Sequence, residues 1–310
     1  MAEAGQNGNG RSVSLRRRFL SPQTGISFVV LAVLVALLIT RFDIAWSDTW
    51  DRMRDMNPWW YLLAVLVHYT TFVFRGARWR VLLTNAAKDD DPPTPPPSTL
   101  YCGRVILMSW FANSITFFRM GDAYRAYAYA EDTKTSFPRS AGTVLADRLV
   151  DLTIVGLLMG AGILILLIGG QIDPPLILVV VAASLIGLIV VGLAGMAVAS
   201  RWIGPRLPRR AGAVYHRFHD GTMSSFGRLH LVFALGLLGW LAEVGRLYVV
   251  AQALGVPVAL GLIVFVPMAN GLLSAIPLTP GGLGVVETGV SGLLQLQLER
   301  ARKHFEDLIG

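Results

Sequence analysis

The sequence predicts an all-α, polytopic integral membrane protein, a helical bundle with about six full spans and two re-entrant or broken segments. Three observations support this fold class. The 310 residues are 54% hydrophobic and 15% charged, with a mean hydropathy of +0.55, whereas soluble domains carry about 25% charged residues. Apolar runs long enough to cross a hydrocarbon core of ~30 Å recur along the chain. Basic residues gather between these runs.

Six apolar runs have the length of a membrane span. They are 25–41, 58–74, 144–169, 174–199, 229–251 and 258–276. A weaker run, 99–118, contains Gly103, Arg104 and Asn113. No small-residue cleavage site follows the first run, so we interpret that run as an uncleaved helix rather than a signal peptide.

The lysines and arginines predict the orientation of the spans. They gather in the N-terminal tail, after the second span, and in 119–141 and 200–228, whereas "GGQIDPP" and "LGVPV" contain none. If every run crossed the membrane, the basic segments 119–141 and 200–228 would lie outside. If 99–118 enters and returns to the same face, all basic segments lie inside. We therefore predict that 99–118 is re-entrant and that the N-terminus is cytoplasmic, in the cell (plasma) membrane.

A second broken segment follows the last span, at "PLTPGGLGVVE". Non-helical backbone at membrane depth is tolerated where protein buries it or where it lines a watery cavity. Both breaks place Ala-Asn in an apolar run, at Asn113 and Asn270, and follow it with glycine and a carboxylate. Corresponding breaks in two halves indicate a central site between repeats, here in an inverted-repeat relation. Chance similarity of two short strings is the alternative.

These segments resemble one known family. The most specific string is Pro-x-x-Pro-Gly-Gly-x-Gly-x-x-Glu, from Pro277 to Glu287, supported by Gly-Asp-x-x-Arg-Ala from Gly121 to Ala126 and by Asp147, Arg148 and Asp151. Together they resemble the lysylphosphatidylglycerol synthase transmembrane region, also called the flippase-like domain. The resemblance extends from about residue 25 to residue 298.

The resemblance implies a domain organisation and a function. We expect a basic cytoplasmic tail at 1–24, a flippase-like transmembrane domain at 25–298, and a short charged tail at 299–310 in place of a further apolar helix. We expect a stand-alone member without the soluble aminoacyltransferase domain. Its implied function is that of a carrier or flippase for a phospholipid or a polyprenyl-linked glycolipid. A non-transporting accessory subunit of a membrane glycosyltransferase or lipid-modifying system is the alternative.

The predicted headgroup site combines both breaks with the start of a long span. Its residues are Asn113, Arg119, Gly121, Asp122, Arg125, Asp147, Arg148, Asp151, Asn270, Pro277, Pro280, Gly281, Gly282, Gly284 and Glu287. Glycines allow backbone N–H groups to approach an anion closely, and a guanidinium binds phosphate bidentately.

Structural roles remain open for the same charged residues. In the first alternative, the Asp-Arg-Asp cluster at 147–151 pairs within itself at the membrane interface. In the second, Arg119, Asp122 and Arg125 anchor their segment at the interface. In the third, Glu287 forms an ion pair that locks the second break.

The sequence gives little support to other classes. No constellation typical of a membrane protease or a lipid transferase is evident, so we predict no catalytic residue, metal or cofactor. The arginines flank spans rather than forming one face, which argues against a nucleic-acid partner. Glu243 and Arg246, three residues apart within 229–251, are interpreted as a structural pair. The predicted partners are membrane lipids, with a glycosyltransferase as the candidate protein partner.

Overall fold

The computed structural model describes residues 50–51, 53–87, 95–116, 119–168, 208–256 and 258–275, together with isolated helical positions between 184 and 198. All of them belong to one compact unit, Ala45–Gly310. The described residues form helices joined by short turns and contain no strand. The all-α prediction is therefore confirmed. The predicted first span, 25–41, lies outside the described residues, and 174–199 lies almost wholly outside them.

The helices follow one another in the order α1 (Pro58–Ala86), α2 (Thr99–Ile115), α3 (Met120–Thr133), α4 (Phe137–Ile168), α5 (Arg209–Ser224), α6 (Leu229–Ala253) and α7 (Leu260–Ala275). A 3₁₀ turn, Ser225–Arg228, joins α5 to α6. Within the described residues, two stretches are long and apolar enough to cross a membrane, Phe137–Ile165 and the continuous Arg209–Ala253.

Helix α1 has two contrasting faces. It begins after Asn57, whose side chain accepts hydrogen bonds from the first turn, with Pro58 at the first helical position, where the missing proline N–H costs nothing. One face exposes Leu62, Leu66, Tyr69 and Val73, at helical spacing. The opposite face buries Arg75, Arg78, Trp79 and Leu82. An apolar exterior around a polar interior is the arrangement expected of a helix at the lipid boundary.

Helices α2 and α3 form an antiparallel hairpin. Near its open end, the Tyr101 hydroxyl donates to Asp132 at 2.6 Å. At its closed end, the Gly121 backbone N–H donates to the Asn113 side chain at 2.8 Å. The chain therefore leaves one end of the bundle along α2 and returns to it along α3. The prediction that 99–118 enters and returns by itself is wrong, because Thr99–Ile115 is a single helix and the return path is Met120–Thr133. How deeply the hairpin enters a bilayer stays a prediction.

The remaining helices pack against α1 and α4. Helix α6 packs along α1, α5 and α7 pack on α4, and the core between them includes Trp79, Ile154, Met159 and Met268. At Gly236, a Cβ atom would lie 2.5 Å from Ile154 and 2.9 Å from the Arg78 guanidinium. Glycine at that position therefore lets α6 approach the buried face of α1.

Two further predicted features need correction. The segments 119–141 and 200–228, interpreted as basic loops, contain α3 and α5, because their charges are spaced along amphipathic helices. The predicted end of the second span at residue 74 is too early, since α1 continues to Ala86. Its last three turns place arginines inside the protein instead of in a loop.

Candidate functional site

Five arginines and three aspartates meet between α1, α3 and α4. We call this the Arg–Asp cluster; its members are Arg75, Arg78, Arg119, Arg125, Arg148, Asp122, Asp147 and Asp151. Helix α1 contributes two arginines, α3 and the turn before it contribute three residues, and α4 contributes the other three.

The base of the cluster is buried and closely paired. Arg78 donates to Asp147 at 2.7 Å and to Asp151 at 2.8 Å. The two aspartates are four residues apart on α4 and therefore share one face of that helix. Arg78 and Asp147 have side-chain exposures of 1% and 3%. One guanidinium thus joins α1 to α4 through two carboxylates.

Two further arginines complete the base. Arg125 lies 2.8 Å from Asp147 and stacks over the Trp79 ring at 4.1 Å. Arg75 lies 3.5 Å from Asp151, between the rings of Trp110 and Trp240 at 5.0 and 4.9 Å. The buried Nε atoms of Arg75 and Arg125 have no hydrogen-bond partner within the described part of the chain.

The rim of the cluster is partly open. Arg148 donates to both oxygens of Asp122, at 2.5 and 3.1 Å, in a bidentate pair. Arg119 donates to the same carboxylate at 3.3 Å. The side chains of Arg119, Arg148 and Asp122 are 25%, 23% and 19% exposed. The exposure of the side chains therefore increases from the closed base of the cluster to its accessible rim.

The rim also contacts the end of α7. Arg119 donates to the backbone carbonyl of Ser274 at 2.6 Å, one of the terminal carbonyls that a helix leaves without an internal partner. The Trp240 indole N–H donates to Asp151 at 3.0 Å. A Cβ atom at Gly271 would lie 2.4 Å from that indole ring. The first break and the helix that leads into the second are thus in direct contact.

The charges of the cluster do not balance among the described residues. Five guanidinium groups face three carboxylates, which leaves two positive charges uncompensated. One excess charge belongs to the base and one to the rim. Burying an uncompensated charge is costly, so the arrangement favours a bound anion.

The structure unites six of the predicted site residues in the cluster: Arg119, Asp122, Arg125, Asp147, Arg148 and Asp151. Asn113 and Gly121 instead bond to each other at the closed end of the hairpin. Asn270 lies on α7, one turn before Ser274, and is partly buried. The positions Pro277, Pro280, Gly281, Gly282, Gly284 and Glu287 lie outside the described residues.

The self-satisfied Asp-Arg-Asp arrangement holds only in part for α4. Arg148 lies 3.5 Å from Asp151, but Asp147 is paired with Arg78 of α1 and Arg125 of α3. Glu243 and Arg246, by contrast, form the predicted pair within one helix, at 2.8 Å.

Sequence reasoning missed Arg75 and Arg78. Both were assigned to a cytoplasmic loop, because the apolar run ends at residue 74. A signal was present: their three-residue spacing places them on one helix face, as the four-residue spacing of Asp147 and Asp151 does. Two cations and two anions on the inner faces of separate apolar helices are expected to pair.

Comparison with known proteins agrees with this architecture. The family model of the lysylphosphatidylglycerol synthase TM region matches residues 25–301. No curated protein and no solved structure shows significant similarity to the chain. The matched region contains every residue of the Arg–Asp cluster, all of α1 to α7 and the second broken segment. The chain is an integral membrane protein and belongs to the lysylphosphatidylglycerol synthase TM region family.

Proposed function

We propose that this protein is a membrane carrier that binds the phosphate headgroup of a phospholipid or a polyprenyl-linked glycolipid at the Arg–Asp cluster. The observation behind this proposal is that, among the described residues, this largely buried site holds two more guanidinium groups than carboxylates. A membrane lipid with a phosphate group supplies negative charge that would compensate these guanidinium groups when the lipid enters the helical bundle. Phosphate oxygens also match the planar fork of a guanidinium.

The second broken segment completes the proposed site. Arg119 contacts the carbonyl of Ser274, three residues before Pro277. The glycines at 281, 282 and 284 follow Ser274 within ten residues in the sequence, and their backbone N–H groups are proposed to contact the same headgroup. Glu287 is proposed to interact with the headgroup or with a rim arginine.

The proposed orientation follows the basic segments. Residues 1–24, the open end of the α2–α3 hairpin with the segment that follows it, and residues 200–228 are proposed to face the cytoplasm, with the protein in the plasma membrane. Headgroups would then enter the rim from one leaflet and leave toward the other.

Native mass spectrometry of the detergent-purified protein tests lipid binding directly. Phosphatidylglycerol, polyprenyl phosphate and phosphatidylcholine are added separately, and the bound fraction is measured for wild type, Arg148→Gln and Arg210→Gln. Arg210 is an exposed arginine of α5 and serves as the matched control. We expect wild type and Arg210→Gln to retain a phosphate lipid of net negative charge and Arg148→Gln to lose most of it.

Arg148→Lys tests whether a loss of binding in Arg148→Gln is caused by misfolding. Lysine keeps the positive charge at this position but cannot form the bidentate pair that arginine forms. We expect this variant to be folded and to bind with intermediate affinity. Equal retention of all three lipids by every variant would instead support the accessory role beside a glycosyltransferase. A fluorescent-lipid translocation assay in proteoliposomes then separates transport from binding.

A further inference from the structure

We propose that Asp122 is a resident counter-anion, which the phosphate of an incoming lipid displaces from Arg148 and Arg119. This inference rests on the proposed function and adds the step by which the site exchanges ligands. It assigns Asp122 a role different from that of the other two carboxylates in the cluster.

The geometry of Asp122 is that of a bound anion. Its two oxygens accept from Nη2 and Nε of Arg148 at 2.5 and 3.1 Å, the paired arrangement in which a guanidinium also holds phosphate. The Oδ2 oxygen also accepts from Arg119. Asp122 therefore occupies the donors that a headgroup would use. A phosphate cannot take both donors of Arg148 until this carboxylate moves aside.

Exposure separates Asp122 from the carboxylates of the base. Its side chain is 19% exposed, compared with 3% for Asp147 and 9% for Asp151. The base aspartates bond to Arg78, whose side chain is 1% exposed. Exchange is therefore feasible at the rim, while the base keeps the helices together.

Asp122 also has a favourable position to occupy after displacement. It lies in the first turn of α3, where the N-terminal end of the helix dipole stabilises a negative charge. The residue before the helix, Arg119, has φ 53° and ψ 42° and supplies no side-chain cap. The first turn thus offers partial positive charge to a carboxylate released from Arg148.

Exchange of one anion for another explains how the site can bind tightly and still release. A phosphodiester carries one negative charge, so its arrival compensates the one excess positive charge of the rim while Asp122 stays in the first turn of α3. A permanently empty pair of arginines would hold a phosphate too firmly to let it leave. Asp122 is therefore expected to weaken headgroup binding and to speed headgroup release.

The test is a titration of phosphatidylglycerol into the protein in a neutral detergent, followed by native mass spectrometry, with phosphatidylcholine as the reference lipid. We expect Asp122→Asn to raise the affinity for phosphatidylglycerol by about tenfold, because one charge-assisted competitor is removed. The same variant should translocate fluorescent phosphatidylglycerol more slowly than wild type in proteoliposomes.

Two variants make the result interpretable. Glu131→Gln removes an exposed carboxylate of the same helix, which pairs with Lys134 at 2.9 Å, and should leave the affinity unchanged. Asp122→Glu keeps a carboxylate at the rim and should bind with nearly wild-type affinity. A circular dichroism melt of each variant confirms that it is folded.

The outcomes separate the two proposals. Wild-type preference for phosphatidylglycerol, lost in Arg148→Gln but unchanged or weakened in folded Asp122→Asn, would overturn the displacement step and leave the carrier proposal standing. No preference for phosphatidylglycerol over phosphatidylcholine in wild type and in Asp122→Asn would overturn both proposals.

Discussion

Asp147 is paired with two arginines from two other helices, and it thereby joins α1, α3 and α4 at the base of the cluster. It contacts Arg78 at 2.7 Å and Arg125 at 2.8 Å and is 2% exposed. Asp147→Asn would leave both guanidinium groups without their shared counter-charge. Loss of one partner from a buried ion pair costs about 3–5 kcal/mol. We expect a correspondingly large fall in unfolding free energy, measured by denaturant titration in detergent micelles.

The control for this variant is Glu131→Gln. It breaks the exposed pair with Lys134, and exposed pairs contribute about 0–1 kcal/mol. If Asp147→Asn were no more destabilising than this control, the base of the cluster would not hold α1, α3 and α4 together.

Trp240 has two separable roles beside the base. Its indole N–H donates to Asp151, and its ring lies over Arg75. Trp240→Phe keeps an aromatic ring but loses the donor, so we expect a loss of about 1–2 kcal/mol in unfolding free energy. Trp240→Ala also empties the space against Gly271 and should cost about 3–5 kcal/mol. Equal effects in the same denaturant titration would mean that the hydrogen bond, rather than the ring, provides the stabilisation.

The sequence alone identified the aspartates of the Arg–Asp cluster better than its arginines. Asp122, Asp147 and Asp151 stand out because carboxylates are rare next to apolar runs. Arg75 and Arg78 did not stand out, since arginines after a span are ordinary topology signals. Their spacing places both arginines on one helix face, but that this face meets α4 depends on how the two helices are placed in space.

The α2–α3 hairpin depends on glycine at one close approach. A Cβ atom at Gly121 would lie 2.0 Å from the Ser109 carbonyl oxygen and 2.7 Å from the Asn113 amide oxygen. Gly121→Ala should therefore force the two helices apart at their closed end and move Asp122 and Arg119 with them. We expect a lower apparent melting temperature in detergent together with weaker binding of phosphatidylglycerol.

Gly160→Ala is the matched control for the hairpin variant. Gly160 lies within α4, and among the described residues no atom outside its own chain neighbours and the adjacent helix backbone comes within 4 Å of the Cβ position there. Alanine favours a helix over glycine by about 1 kcal/mol, so this change should leave the melting temperature equal or slightly higher. A similar fall in both variants would show that the close approach at Gly121 is not what the hairpin requires.

Helices were predicted more accurately than their boundaries. The apolar runs 229–251 and 258–276 correspond closely to α6, Leu229–Ala253, and α7, Leu260–Ala275. Helix α3 was missed because its charges were counted as loop charges. It is amphipathic, and its buried side includes Arg125 and Tyr129. A charged segment is read as a loop whenever its polar residues are assumed to face water, and here several of them face the cluster.

At the scale of the whole molecule, polar and apolar surfaces are reversed relative to a soluble protein. Large apolar side chains such as Leu66, Phe111 and Leu164 are exposed, whereas the ionic groups of Arg78, Arg125 and Asp147 are buried. This distribution suits a bundle surrounded by lipid with a polar interior. The closed base restricts the accessible charge to the rim, so exchange at the rim need not disturb the contacts that hold the bundle together.

The hairpin also makes the predicted topology testable in the intact protein. The contact between Tyr101 and Asp132 places the start of α2 and the end of α3 together, so the segments before and after the hairpin must lie on one side of the membrane. After the buried Cys102 is replaced by alanine, single changes Lys134→Cys, Arg210→Cys and Gln171→Cys report three segments. An impermeant maleimide should label the first two only from the cytoplasmic face and the third only from the outer face. Labelling of Lys134→Cys from outside would mean that α2 and α3 do not return to the cytoplasmic face, and the proposed orientation of the carrier would then be wrong.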